Sequence, residues 1–434
     1  MSNVNISKLK GIVGDANVID APSEMAKYLK GKGKPAVVVL PGNTSEVSDI
    51  VKLANEMNVK IGVGGAVVDT QGITGEIAMV MSRMNKILEM DQLNLVAVVQ
   101  PGILHKEFLL NVVEAGLNFP PEPYEVETSS VGGCFAIGDS DSKSFEYGPT
   151  RGFLLGFEMV LPTGEILDIG NKCIKNVSGY DFIHLSVGSQ GTLGIFTKLL
   201  VKLLPVPEAN KVVIGTFASI HKANATFNTL IKRNVLPTRM NLINAPLAKN
   251  AKPGTEGQLV IIDLQGFKES GKNIAHEVAS VLTLGGGSDV TIIEDEAEYD
   301  QVINGWLKVR ADLNVKPEQT VEFLVGPMKM PQALVQIEAL TGDLGAYPGV
   351  IVEGLLGYVC LALPEGTDKL TFATKVNKLA MSLGGNVRGL LGHKLKAEAY
   401  NDAEMWTETT SLLSELRHRF DPKGILNPGV SLQA

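Results

Sequence analysis

The residues with the most chemical potential are glycines set in short runs. Gly62-Val63-Gly64-Gly65-Ala66 follows directly on Val59-Lys60-Ile61. Successive backbone N–H groups carrying little side-chain bulk can wrap an anion such as a pyrophosphate. The run is not the Rossmann fingerprint, because Gly62-Val63-Gly64-Gly65-Ala66-Val67 lacks the last glycine and no clearly capped helix follows. Taken alone it reads either as an anion loop or as a structural turn. Two further runs, Ser129-Ser130-Val131-Gly132-Gly133 and Gly188-Ser189-Gln190-Gly191-Thr192-Leu193-Gly194, are built of small residues suited to close approach by an extended ligand.

These loops need elements to hold them. Ala36-Val37-Val38-Val39-Leu40 reads as a buried strand and Pro41-Gly42-Asn43 as a turn. Thr44 then caps a helix with Val47, Ile50, Val51, Ala54 and Met57 on one face. Val59-Lys60-Ile61 is the second strand of this β-α-β unit, ending in the glycine loop. A strand from Val96 to Gln100, a helix from His105 to Gly116 and a hairpin across Leu161-Pro162-Thr163-Gly164-Glu165 come next. Pro205-Val206-Pro207 marks a domain boundary. Beyond it, strand-like runs (Val212–Phe217, Leu259–Leu264, Val290–Ile293, Val321–Val325, Val350–Val352, Tyr358–Leu363) alternate with helical patterns at 268–284, 331–341 and 367–383. That rhythm predicts an α+β sheet domain with helices on one face. A helix from Ser411 to Phe420 precedes a tight Pro/Gly turn at 421–429.

Composition narrows the classes. Among 434 residues there are 46 glycines, without a Gly-X-Y period and alongside 44% hydrophobic residues, so neither collagen nor disorder accounts for them. A net charge of −8 argues against a nucleic-acid partner, which requires a basic face. No uninterrupted apolar run reaches the ~18–20 residues of a membrane span, and the N-terminal stretch lacks the apolar core of a secretory signal. Cys134, Cys173 and Cys360 form an odd, widely spaced set with no CxxC. Disulfides and a zinc or iron–sulfur site built from this chain alone are therefore not expected, and a cytoplasmic setting is.

Several motifs occur in order: Ser129-Ser130-Val131-Gly132-Gly133, Tyr147-Gly148-Pro149-Thr150-Arg151, Leu155-Gly156-Phe157-Glu158-Met159-Val160-Leu161-Pro162-Thr163-Gly164, Lys175-Asn176-Val177-Ser178-Gly179-Tyr180-Asp181 and Gly188 to Gly194. Joined to Pro35–Gly64, they resemble the PCMH-type FAD-binding domain of the vanillyl-alcohol-oxidase superfamily, and within it the FAD-linked glycolate oxidase and D-lactate dehydrogenase family. The Phe420–Gly429 stretch is similar to the usual family ending. The resemblance implies an N-terminal segment at 1–34, an FAD-binding domain of two α+β subdomains at 35–207 and an α+β (ferredoxin-like) cap at 208–395. A segment at 396–434 would return to the FAD domain. It further implies FAD with its pyrophosphate on Gly62, Val63, Gly64, Gly65, Ala66 and Val67 and on Ser129, Ser130, Gly132 and Gly133. Gly188, Gly191, Thr192 and Ile195 would lie close to the cofactor, Pro120 is counted with them, and Asn427 would lie near the ring. The family's Arg-Gly-x-Gly-Thr stands here as Val63-Gly64-Gly65-Ala66-Val67, and no His lies between 58 and 75, so a noncovalent flavin is expected.

The cap departs further. Members that oxidise 2-hydroxy acids carry His-x-Gly-Asp-Gly-Asn-x-His and Gly-Glu-His-Gly, supplying a divalent metal and the base that takes the hydroxyl proton. Here these stretches align with Glu353-Gly354-Leu355-Leu356-Gly357-Tyr358-Val359-Cys360 and Gly389-Leu390-Leu391-Gly392, so no metal is expected. The remaining catalytic candidates are His393 and Tyr358 as acid/bases and Arg310, whose guanidinium fork suits a carboxylate. Each also has a structural reading: a hydrogen-bonding His, a core Tyr and a helix-surface ion pair. The expected function is an FAD-dependent dehydrogenase subunit that oxidises a small 2-hydroxy acid or related substrate. It would pass electrons to an iron–sulfur subunit or an electron-transfer flavoprotein. The alternative is an FAD-holding relay or scaffold subunit with a degenerate substrate site.

Overall fold

A computed structural model of the chain describes residues 4–31, 33–70, 76–123, 128–138, 142–175, 179–314, 319–342, 344, 348–387 and 407–430. The chain divides into two compact units: Met1–Ser140, Pro149–Val206 and Leu390–Ala434 in the first, Asp141–Gly148 and Pro207–Gly389 in the second. The short excursion Asp141–Gly148 thus packs with the second unit. No helix of the described residues is long and apolar enough to cross a membrane.

The first unit holds two main sheets. One has four strands in the order Val18–Ile19, Val37–Val39, Ile77–Val80 and Ile61–Gly64, the last three parallel. Val37–Val39 is wholly buried, as an apolar run in a covered parallel strand should be. The helix Thr44–Met57 crosses over it, burying Val47, Ile50, Val51 and Ala54 against Ile61, Ile77 and Met79. Its cap is Asn43 rather than Thr44. Asn43 Oδ1 accepts from Glu46 N at 2.9 Å, and Glu46 reaches back to accept from Gly42 N at 2.7 Å. The arrangement resembles a capping box whose return bond reaches one residue further back, to Gly42, and its cap lies one residue earlier than the threonine suggested; Thr44 Oγ1 instead donates to Glu158 at 2.6 Å.

The following strand also begins later than expected, at Ile61 rather than Val59. Asn58 ends the helix in the left-handed region (φ 52°), and Val59 N donates to Ala54 O at 2.9 Å, so both residues belong to the helix cap. The second sheet is antiparallel, in the order Ile166–Gly170, Leu154–Val160, Ile195–Lys202, Val96–Val99 and Ile87–Asp91, and includes the expected hairpin across 161–165.

The second unit is built on an eight-stranded sheet whose described pairings are all antiparallel. Its order is Ser288–Ile293, Ala209–Phe217, Gln258–Gly266, Arg239–Ile243, Gly349–Glu353, Tyr358–Ala362, Thr320–Leu324 and Asn386–Val387. Helices Lys268–Leu284, Met330–Thr341 and Lys369–Ser382 occupy the segments read as helical. Helices Ile220–Lys232, Ala245–Ala251 and the long helix Glu296–Asn314 are additional.

The helices cover both faces of this sheet, not one. Ile214 clusters with Ile303, Trp306 and Val309 of the long helix. A Cβ placed on its neighbour Gly215 would point the other way, 3.6 Å from Leu282 of helix Lys268–Leu284. Alternation along the strand therefore sends successive residues to two helix layers.

Gly305 sits inside the long helix where alanine has the better propensity by about 1 kcal/mol. A Cβ there would stand 2.1 Å from Ala251 O on the neighbouring short helix. The clash outweighs the propensity: Gly305→Ala is expected to lower stability by about 1–3 kcal/mol, read from the urea midpoint at unchanged m-value.

Candidate functional site

In the first unit the sheet edge is completed from far along the chain. Ile61 N donates to Ile425 O at 2.8 Å and Asn427 N donates to Ile61 O at 2.8 Å, so the turn at 425–427 runs parallel beside strand Ile61–Gly64. The next rung is made by a side chain: Val63 N donates to Asn427 Oδ1 at 2.6 Å. Asn427 Nδ2 in turn donates to Gln190 O at 2.6 Å, drawing the 188–192 turn to the same place. Asn427 adopts φ 45°, a conformation that asparagine tolerates better than most residues.

Two charged side chains hold that turn. Asp421, buried after helix Thr407–Phe420, accepts from Ile425 N and Leu426 N, each at 2.8 Å. Arg417 donates to the carbonyls of Leu426 at 3.1 Å and Asn427 at 3.2 Å, and to that of Val430. Ile425 and Leu426 meanwhile bury their side chains in the core with Ile61 and Ile77.

The small residues singled out in the sequence meet around this clasp. A Cβ on Gly64 would lie 1.9 Å from Val67 O, and one on Gly65 only 1.7 Å from Ser130 Oγ. The glycine loop therefore lies directly against the start of the short helix Val131–Ile137, which Ser130 caps through Gly133 N at 3.0 Å. Gly132 packs on Pro101, and Ser129 O accepts from His105 N at 2.8 Å. His105 Nε2 meets Pro121 O at 2.8 Å, which places buried Pro120 beside the same loops.

The turn at 188–192 has its own constraints. Gly188 (φ +85°) donates to Phe135 O at 3.1 Å, and Thr192 Oγ1 donates to Ser189 O at 2.7 Å. Gly191 (φ +68°) faces Asn427, its Cβ direction 2.6 Å from Nδ2. Gly62 lies within its strand, Ala66 is half-buried, and the Val67 side chain is exposed. Ile195 turns its side chain into the core with Val160.

Two observations bear on what these loops could hold. The amides of Gly65 and Ala66 donate to no described residue, and Ser189 Oγ is buried without a partner among the described residues. Free backbone donors and an orphan hydroxyl among close-packed glycines fit an extended, phosphate-bearing cofactor.

In the second unit, Arg310 and Tyr358 are brought together and His393 lies outside the described residues. Arg310, fully buried on the long helix, donates from Nη1 to Tyr358 Oη at 3.0 Å, and its guanidinium carbon is 4.8 Å from the centroid of the Tyr358 ring. Its Nε stands 3.5 Å from Glu353 Oε1. Tyr358 Oη donates to Glu322 Oε1 at 2.6 Å. Glu353 and Tyr358 are register partners across the hairpin Gly349–Glu353/Tyr358–Ala362, and Glu322 is the register partner of Cys360. Among the described residues no three His, Cys, Asp or Glu side chains converge as a metal set.

A second polar network on this sheet face went unread in the sequence. Arg239 and Asp263 form a fully buried ion pair at 2.8 Å, and Tyr299 Oη donates to Asp263 at 2.8 Å. Gln265 bridges Tyr299 at 3.0 Å and Tyr147 at 3.2 Å, while Arg239 Nε donates to Ser142 Oγ at 3.1 Å, so the excursion 142–148 is tied to the sheet. Cross-strand register reveals the Arg239–Asp263 pair, while Tyr299 reaches it from the long helix and Ser142 and Tyr147 reach the network from the excursion.

Burial, with the Asp263 charge beside it, pushes the Tyr299 phenol far above its ordinary value, and burial likewise raises Tyr147. A raised folded pKa gives stability that is complete below the unfolded value of about 10 and is lost as pH rises beyond it. The melting temperature should therefore fall steeply above pH ~10, and less steeply in Tyr299→Phe. For the clasp, Asn427→Ala should lower stability by about 2 kcal/mol and reduce the ratio of bound flavin to protein, both measured on the purified full chain.

Comparison with known proteins agrees with this geometry. Residues 35–170 match the FAD binding domain and residues 206–430 match the C-terminal domain of FAD linked oxidases. The chain is 29% identical to the glycolate oxidase subunit GlcD of Bacillus subtilis, covering 91% of this chain and 88% of that one. It is also 29% identical to a D-lactate dehydrogenase of Anaerostipes hadrus, covering 98% and 95%. Among solved structures, 4-ethylphenol oxidase from Gulosibacter chungangensis superposes with a TM-score of 0.74 at 18% identity, covering 98% of this chain and 95% of that one. p-Cresol methylhydroxylase does so with 0.73 at 16%, covering 97% and 94%; both share the fold. The chain belongs to the FAD-linked oxidases, as an FAD-dependent oxidoreductase related to glycolate oxidase GlcD and D-lactate dehydrogenase.

Proposed function

We propose that this protein is a dehydrogenase subunit that binds FAD noncovalently, oxidises a small 2-hydroxy acid and delivers the electrons to a partner protein, an iron–sulfur subunit or an electron-transfer flavoprotein. The observation that carries the substrate reading is the Arg310 Nη1–Tyr358 Oη pair at 3.0 Å on one buried sheet face. A guanidinium beside a phenol offers one group to a carboxylate and the other to the adjacent hydroxyl. A curated relative is named as a subunit, which supports the partner.

In this reading the amides of Gly65 and Ala66, the Ser129–Gly133 segment and Ser189 hold the cofactor, which supplies the two-electron acceptor when bound. Arg310 orients the substrate carboxylate. The substrate hydroxyl donates to Tyr358 Oη, whose own proton is already directed at Glu322 Oε1. The hydroxyl proton thus has a two-step path through the phenol oxygen to a carboxylate as the hydride leaves carbon.

One observation favours the relay or scaffold alternative: Arg310 already faces a carboxylate of this chain, Glu353, at 3.5 Å. Anaerobic titration separates the two. The dehydrogenase reading predicts that 2-hydroxy acids bleach the flavin of this subunit directly, and that Tyr358→Phe slows the bleaching about 100-fold at unchanged flavin content. A flavin reduced only through another subunit of the isolated complex, and indifferent to Tyr358→Phe, would replace it with the relay.

A further inference from the structure

Asn241 lies in the middle of strand Arg239–Ile243, fully buried, with both Oδ1 and Nδ2 lacking a partner among the described residues. Its register partners are Glu353 on one side and Ile261 on the other. Directly opposed residues share a sheet face with Cβ atoms about 4.5–5.5 Å apart, so the Asn241 amide belongs to the face that carries Glu353 and Tyr358. Trp306, one turn before Arg310 on the long helix, is fully buried against the same face, and its Nε1 also lacks a partner among the described residues.

An unpaired buried amide is costly to keep, and an isosteric leucine would remove the cost. What remains unsatisfied is specific: one acceptor on Asn241, and donors on Asn241 and Trp306. A carboxylate would answer the donors, leave Oδ1 unmet and meet repulsion from Glu353 across the strand pair. A neutral hydroxyl both donates and accepts, and answers the set.

We infer that Asn241, assisted by Trp306, is a specificity residue that binds a hydroxyl adjacent to the one oxidised, so that the substrate is a 2,3-dihydroxy acid or a longer polyhydroxy acid rather than lactate or glycolate. This rests on the proposed hydroxy-acid site and names the substrate class within it. A site built to hydrogen-bond a substrate hydroxyl discriminates strongly against the analogue lacking it.

D-glycerate and D-lactate differ at C3 by that one hydroxyl, and their binding to the FAD-loaded full chain can be measured by equilibrium dialysis and by thermal shift, without turnover. Wild type should bind D-glycerate at least about tenfold tighter than D-lactate. Asn241→Leu should bring the ratio to near unity while leaving the melting temperature of the unliganded protein equal or higher, and Trp306→Phe should reduce the ratio partway. Equal affinity for the two acids in wild type, binding of neither, or equal weakening of both by Asn241→Leu would overturn the inference. If Asn241→Leu does not fold, wild type and Trp306→Phe decide it. Tighter glycerate binding with no bleaching by either acid would remove hydroxy-acid oxidation and leave the Asn241 contact standing. Bleaching by lactate without a glycerate preference would do the reverse.

Discussion

The glycine loops of the first unit depend on a hydrogen bond that spans 364 positions of sequence, from Val63 N to Asn427 Oδ1. Strand Ile61–Gly64 is an edge strand, and an edge leaves alternate backbone groups without partners. The turn at 425–427 supplies two backbone rungs, and the Asn427 side chain supplies the third where the backbone has already turned away. Because the same amide also grips Gln190 O, three remote segments share one anchor. Asp421 and Arg417 fix the anchor itself, so the shape of the glycine loop follows from charged hydrogen bonds in the C-terminal turn.

This changes the meaning of the glycines. Gly64, Gly65, Gly132 and Gly191 are each required by protein atoms that a Cβ would strike: Val67 O, Ser130 Oγ, Pro101 and Asn427. Small residues here pack loops against one another, and that packing leaves the amides of Gly65 and Ala66 unspent. Close loop packing and unspent backbone donors are two consequences of the same absence of side chains.

The second unit shows the opposite economy. The layer between its sheet face and the long helix is mostly apolar, with Ile243, Ile261 and Ile351 from strands and Val309 from the helix, yet it carries two buried arginines, Arg239 on a strand and Arg310 on the helix, each set against a carboxylate. Such pairs contribute little net stability compared with apolar residues of the same volume, so their presence points to a role beyond holding the sheet together. The tie from Arg239 and Gln265 to Ser142 and Tyr147 gives the excursion 142–148 a fixed place in this unit. Helix Lys268–Leu284 was legible in the sequence because its apolar period is clean. Strand Arg239–Ile243 was not, because Arg239 and Asn241 occupy its buried positions and break the pattern that marks a strand. The long helix was hidden by its acidic first turn and by Gly305, a residue kept for close packing rather than propensity. The glycine loops stood out by residue type and Asn427 was added by resemblance, but the clasp joining them has no local signature. Arg310 and Tyr358 were singled out without Glu322, the carboxylate to which Tyr358 donates, whose place beside them follows from the strand register.

The central claim is a noncovalent FAD site shaped by this clasp, and acid precipitation of the purified protein tests it most directly. The account predicts a yellow native protein whose flavin passes entirely into the supernatant, there identified as FAD, leaving a colourless pellet. A native protein without flavin absorption, or a pellet that keeps its colour, would contradict it.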